Sequence, residues 1–390
     1  MKLIYKTISL FLFATIIQVQ AQVATIPFEL DGLMYVKVKV NDSDEVLNFI
    51  FDTGASAIVL DETKAKELGI KADYQQPATG AGGSEMYNIA LSQKLIVNDV
   101  VLNGKHMVLV DLNKISKKAS QKIDGIVGAD ILNEYVTRLD FDKEEIALYN
   151  NVKDVKKYKE YVSTDVVLGY GLIPEVELEF LIGNDKKFKG NFLFDSGANT
   201  TFLLNTPFAK KNKIETLIGK TIESKAEGLT TTTVFKIGAA KKVKFKKFEF
   251  GEMPIDITNS ESGVTASPNY TGILGIKIIK RLNTILDYRN KKLYFKANSQ
   301  YVNEFEFPLS GFSLVKEEGK IMIENVVKNS EAYKKGVRDG DEVLSLNAEI
   351  SKNIKNYRCL LKEEGKSVVV KVKSLEGKTK EIIIFLKRLI

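Results

Sequence analysis

Val36, Val38 and Val40 alternate with Lys37 and Lys39, and further along Val176, Leu178 and Phe180 alternate with Glu175, Glu177 and Glu179. A period of two places one set of side chains on each face of a strand, so both runs predict strands with one buried and one wet face. Each leads to a wholly apolar segment ending at an aspartate: Phe49-Ile50-Phe51-Asp52 and Phe192-Leu193-Phe194-Asp195. A third pair follows, in which lysines interleave with Val243, Phe245 and Phe248 between Lys242 and Phe250, matching Lys94 to Val101 in the first half. Helical patterning is confined to short stretches. The segment 61–69 is capped by Asp61 and stopped by Gly69, and a second helix is predicted over 351–364. The texture is mainly β.

The two apolar runs belong to a longer repeat. Asp52-Thr53-Gly54-Ala55-Ser56 is answered by Asp195-Ser196-Gly197-Ala198-Asn199, Asp124-Gly125-Ile126-Val127-Gly128 by Thr271-Gly272-Ile273-Leu274-Gly275, and Thr137-Arg138-Leu139-Asp140-Phe141 by Thr284-Ile285-Leu286-Asp287-Tyr288. The aspartates lie 143 positions apart, and Gly125 and Gly272, like Thr137 and Thr284, lie 147 apart. The order and spacing of features describe two tandem copies of one unit. Two equivalent acids at equivalent turns point to one shared carboxylate site.

Composition narrows the chemistry. One histidine, His106, and one cysteine, Cys359, occur in 390 residues. No intrachain disulfide and no His/Cys zinc site is possible, and nucleophilic triads are restricted to combinations that use His106. His106 reads as a surface strand or turn residue, and Cys359 as a small packing residue of the 351–364 helix. Carboxylate chemistry remains. At the N-terminus Lys2 and Lys6 precede an apolar core from Ile8 to Ile17 and then Val19-Gln20-Ala21, the pattern of a secretory signal peptide over 1–21. A membrane anchor is the competing reading, disfavoured because the run is short for a bilayer. Export to the periplasm or the extracellular space is therefore expected, with no stable membrane span after cleavage. The formal net charge is +7. From Leu309 onward there are 17 Lys and Arg against 12 Asp and Glu, an excess of five that sets the C-terminal segment apart. Nothing resembles a nucleic-acid module, so no nucleic-acid partner is expected.

The duplicated turns and the later apolar-apolar-Gly segments, Ile126-Val127-Gly128 and Ile273-Leu274-Gly275, resemble the two-lobed pepsin and retropepsin-like aspartic proteases. The resemblance implies two tandem β-barrel lobes, 22–158 and 159–305, forming one cleft with Asp52 and Asp195 as the catalytic pair. It implies that Thr53 and Ser196 hydrogen-bond across to the opposite lobe, that Gly54 and Gly197 leave room for substrate, and that Ser56 donates to its own aspartate. Asn199 stands where the family has Ser or Thr. Gly80-Ala81-Gly82-Gly83 falls in the position of the flap that closes over bound peptide, with Glu227-Gly228-Leu229-Thr230 at the corresponding place in the second unit. The flap tyrosine of pepsin-like members is replaced by Gly80, and Tyr87 lies beyond it. Since both turns are in one chain, a catalytic monomer without metal or cofactor is expected.

From Glu306 the pattern changes. Gly336-Val337-Arg338-Asp339-Gly340-Asp341-Glu342-Val343-Leu344-Ser345-Leu346-Asn347, with Ser310-Gly311-Phe312-Ser313 ahead of it, resembles a PDZ domain, a small α+β unit over 306–390. Ser310 to Ser313 correspond to that family's carboxylate-binding loop, which implies a C-terminal peptide ligand lying beside the Phe312 to Lys316 edge. The expected activity is hydrolysis of extended polypeptides by an aspartate dyad and an activated water. Two rivals remain: a catalytically silent peptide-binding protein, and an ATPase of the actin or sugar-kinase type, disfavoured by the strand-rich texture.

Overall fold

A six-stranded antiparallel sheet joins the two halves of the repeat. Its order is Gln22–Pro27, Glu145–Tyr149, Val136–Asp140, Leu282–Asp287, Lys292–Ala297 and Val162–Asp165. At its centre Thr137 pairs with Leu286, Arg138 with Ile285 and Leu139 with Thr284. These are the repeat-equivalent residues, run antiparallel, so a local twofold axis passes between Arg138 and Ile285. Asn283 ties the crossing, accepting from the Phe141 amide at 2.9 Å and donating to Asp142 at 2.9 Å. The computed structural model describes residues 22–80, 83–119, 121–227 and 232–390. The expected signal peptide, Ala81 and Gly82 of the flap, and Gly228, Leu229 and Thr230 lie outside the described residues.

Each half adds its own sheet, of eight and nine strands. The alternation read from the sequence sets their burial: Val36, Val38 and Val40, like Val176, Leu178 and Phe180, are at most 2 % exposed. The apolar runs before the aspartates are buried on both faces because each is an interior strand. Leu47–Phe51 lies parallel to Gly125–Val127, and Lys186–Phe194 lies parallel to Gly272–Leu274. Gly125 and Gly272 are required by close approach, since a Cβ would stand 2.5 Å from Val59 O in one and 1.8 Å from Leu203 O in the other. In the second half Phe180 packs against Phe188, Phe192, Phe202 and Phe208 with ring centroids 5.3–6.1 Å apart. Burying each such ring contributes about 1.5–3 kcal/mol.

The C-terminal unit has its own core and a five-stranded sheet that begins Ser313–Glu317, Lys320–Glu324, Glu342–Leu346. Its longer helix is Ile354–Leu360, shorter than the expected 351–364. Asn353 caps it by accepting from the Lys355 amide at 3.0 Å, and the chain turns again after Leu361. Ile354, Tyr357 and Leu361 form its buried face, so Cys359 is exposed and is not a packing residue, a correction that follows from helical phase. His106 is an exposed residue of the strand Val100–Val110.

The connection to this unit is bolted to the second half. Arg281, 4 % exposed, donates from Nε to Lys277 O at 3.1 Å, from Nη1 to Gln300 O at 2.9 Å and from Nη2 to Glu304 O at 3.0 Å, and it stacks 3.8 Å above the Phe305 ring. The unit also touches the first half. The helix Asn113–Lys118 packs along the Ser313–Glu317 strand, Lys117 pairs with Glu317 at 2.5 Å, and Arg358 donates to both Lys118 O at 2.7 Å and Leu314 O at 2.9 Å.

Candidate active site

The two apolar strands end side by side, and the turns that follow are locked by four hydrogen bonds between the halves. Thr53 Oγ1 donates to Phe194 O at 2.8 Å and accepts from the Ser196 amide at 2.9 Å. Ser196 Oγ donates to Phe51 O at 3.2 Å and accepts from the Thr53 amide at 3.0 Å. Thr53 is 2 % exposed and Ser196 is fully buried, so each hydroxyl satisfies backbone groups that water cannot reach.

This frame brings Asp52 and Asp195 together, with a hydrogen bond between the two carboxyl side chains. One Asp52 oxygen accepts from the Gly54 amide at 2.7 Å and the Gly197 amide at 3.1 Å. One Asp195 oxygen accepts from the amides of Gly197 at 2.8 Å and Ala198 at 3.1 Å. Glycine is required twice by space. A Cβ at Gly54 would stand 2.6 Å from the Asp195 carboxyl carbon, and one at Gly197 would stand 2.3 Å from that of Asp52.

Burial raises both carboxyl pKa values. For Asp52 the amides of Gly54 and Gly197 and the hydrogen bond from Asp195 act against that rise. For Asp195 the Asp52 charge and the Asp52 hydrogen bond add to burial and hold it well above the ordinary carboxylate range, against the pull of the Gly197 and Ala198 amides. The two carboxyls titrate as one pair, which holds a proton above the ordinary carboxylate range.

The remaining expected site residues are distributed unevenly. Ser56 and Asn199 are exposed, and among the described residues neither donates to its aspartate. The turn amides hold one oxygen of each aspartate, and the Asn199 amide nitrogen lies 3.1 Å from where a Cβ of Gly32 would be. Gly80 and Gly83 close a hairpin tip, the Gly80 amide donating to Gly83 O at 2.8 Å. Tyr87 is on the strand Ser84–Val97, away from that tip. Ser310, Gly311, Phe312 and Ser313 belong to the C-terminal unit and do not join the dyad; Ser310, Phe312 and Ser313 line a separate cavity.

Two contributors were not read from the sequence. The Val264 amide in the second half donates to Gly80 O at 3.1 Å, so the hairpin tip reaches across to the opposite half. Tyr288, 5 % exposed, has its hydroxyl pKa driven up by burial and by the charges of Asp52 and Asp195, and its oxygen has no hydrogen-bond partner among the described residues. Its signal was available in the repeat, where Tyr288 stands opposite Phe141.

A comparison with curated proteins returns no match. A family model described as aspartyl protease matches residues 36–131, about a quarter of the chain, and that stretch contains Asp52, its turn and the hairpin. The match supports an aspartyl protease family and a protease function in general.

Proposed function

We propose that this chain is an exported aspartic endopeptidase with a pepsin-like pair of lobes, which cleaves extended polypeptides, and that its C-terminal unit is a PDZ-like peptide module. The carrying observation is the hydrogen-bonded pair Asp52 and Asp195, each also held by turn amides and each raised by burial. In a shared-proton pair the two acids titrate together and split the roles. Asp195, pushed further up, holds the proton and donates to the carbonyl oxygen under attack. Asp52, supported by two amides, removes a proton from the attacking water. When the C–N bond breaks, Asp52 gives that proton to the leaving amine while Asp195 takes back a proton from a hydroxyl of the tetrahedral diol as it becomes the carboxylic acid, so the dyad regains its single shared proton for another cycle. Both acids come from one chain, which favours a catalytic monomer. The early lysines and the apolar run from Ile8 to Ile17 support export.

The hairpin's bond to Val264 favours a second reading. A tip tied across the cleft suits a protein that holds peptides without cutting them. Cleavage of an unfolded protein from pH 3 to 7 separates the two. Under the protease reading the natural chain cuts and folded Asp52→Asn and Asp195→Asn chains do not. Absence of cutting by the folded natural chain throughout that range favours the binding reading.

A further inference from the structure

Tyr288 follows the strand Leu282–Asp287 in the second half of the chain, yet the turn it begins is fastened to the first half. Arg289 donates from Nη2 to Glu134 O, just beyond the helix Ala129–Leu132. That helix starts after Gly128, where a Cβ would stand 1.8 Å from Asp52 O, and its Ala129 amide donates to Ala55 O at 3.0 Å. The Tyr288 ring is thereby placed on the Asp52 side of the dyad, in the same core as Phe51 and Val127. The local twofold carries this position onto Phe141 on the Asp195 side, whose ring packs edge to face on Phe28 with centroids 5.7 Å apart. The two rings fill equivalent space and differ by one oxygen.

Packing does not explain that oxygen. A buried hydroxyl that leaves water and gains no partner is destabilising, so a phenylalanine would fill the place better, as Phe141 does. Among the described residues nothing accepts from the Tyr288 hydroxyl or donates to it. The charged groups of its own turn and of the segment packed on it are engaged elsewhere. Asp287 accepts from the Asn290 amide at 3.2 Å and from the Asn290 side chain at 2.8 Å, Glu134 pairs with Lys105 at 2.6 Å, and the Arg289 guanidinium is on Glu134 O. What acts on the hydroxyl is burial, then the charge of Asp52, then that of Asp195. Together they hold its proton on so firmly that it stays a neutral donor throughout the range in which carboxylates titrate.

We infer that Tyr288 is a positioning residue for the dyad: its hydroxyl dipole, present on one side only, breaks the symmetry of the repeat and draws the pair's negative charge onto Asp52. Each aspartate accepts two turn amides, so those bonds do not by themselves choose between the acids. Two equivalent carboxyls sharing one proton would divide the charge evenly. An O–H dipole in a low-dielectric interior makes them unequal, and no water has to reorganise for it to act. Charge on Asp52 makes it the acceptor of the attacking water's proton and leaves Asp195 as the donor. This catalytic consequence rests on the protease reading given above; the charge bias does not.

The first test needs no cleavage. Thermal unfolding of the full natural chain and of Tyr288→Phe is followed by circular dichroism at pH 3 and pH 7. The pair binds its proton more tightly folded than unfolded, so its first ionisation opposes folding as pH rises. Removing a dipole that favours the charged form should raise that proton affinity about three- to tenfold. The melting temperature of Tyr288→Phe, relative to the natural chain, is then lower at pH 7 than at pH 3. A hydroxyl that only fills space shifts both pH values equally, and that result overturns the proposal. The pH-dependent part should persist in an Asp195→Asn background and be smaller in Asp52→Asn; the reverse overturns the bias. If Tyr288→Phe does not fold, carbon-13 NMR of the natural chain labelled at its aspartate carboxyls decides. The signal missing from Asp52→Asn should ionise at the lower pH of the pair, and first ionisation at the Asp195 signal overturns the proposal. In a separate arm the pH profile for cleavage of an unfolded protein is compared. Its acid limb should move up by about half to one pH unit in Tyr288→Phe, and an unmoved limb in an active chain overturns the catalytic consequence. A chain that never cuts refutes the protease reading, while the melting temperatures still decide the role of Tyr288.

Discussion

Replacing Thr53 by valine keeps the shape of the side chain and removes one oxygen. That oxygen serves the Phe194 carbonyl at 2.8 Å and the Ser196 amide at 2.9 Å, at a residue 2 % exposed. Neither group gains water in exchange, and leaving a buried backbone group unpaired costs about 1–3 kcal/mol, so the pair predicts a loss of about 2–6 kcal/mol. Thr53→Ser keeps the oxygen and should lose much less. The chain has no tryptophan, so urea unfolding followed by far-ultraviolet circular dichroism is the suitable assay. Because Thr53 and Ser196 serve each other as well as the backbone, a cycle with Ser196→Ala should show non-additivity of about 0.5–3 kcal/mol. A Thr53→Val loss below about 0.5 kcal/mol, the range of ordinary surface changes, would refute the claim that these hydroxyls hold the halves together.

Asp195 binds its proton more tightly folded than unfolded, so its ionisation opposes folding as pH rises through 3.8, and the full penalty is reached above its raised folded value. Asp195→Asn should therefore melt higher than the natural chain at pH 7 and equally near pH 3, a difference that thermal unfolding at the two pH values measures. Gly197→Ala places a methyl 2.3 Å from the Asp52 carboxyl carbon; with the fold retained by circular dichroism, cleavage should fall by about a hundredfold or more. Arg281→Met removes the bonds that pin 298–305. Endoproteinase Glu-C should then cut after Glu304 faster than in the natural chain, and equal rates would show that the arginine does not hold the connection.

What was legible in the sequence was what is written locally and twice. The period-two runs before Asp52 and Asp195 gave strands, and the turn motifs gave two carboxylates at equivalent places, because a strand's burial and a tight turn depend on neighbouring residues. The central sheet depends on pairing residues almost 150 positions apart, and no local pattern encodes which edge meets which. The donors that hold one oxygen of each aspartate were missed for a related reason: they are backbone amides, invisible in a side-chain alphabet. Arg281 and Arg358 were unremarkable basic residues in the sequence, and their work is done on carbonyls from distant segments. Cys359 was assigned to a packing role from residue type when helical phase places it outside.

The twofold at Arg138 and Ile285 also bears on which molecules this one avoids. A strand that pairs with its own repeat-equivalent in that register can in principle pair with a second copy of itself, and the first half alone presents such a strand. Self-pairing would set Arg138 directly opposite another Arg138, and like charges facing each other across a ladder are destabilising. In the intact chain the position opposite is Ile285, and Arg138 leans 3.4 Å from Asp140 on its own strand. A single arginine thus biases the edge toward its covalent partner and against a stranger carrying the same sequence, so nascent or proteolytically separated first halves repel one another at the place where they would otherwise join.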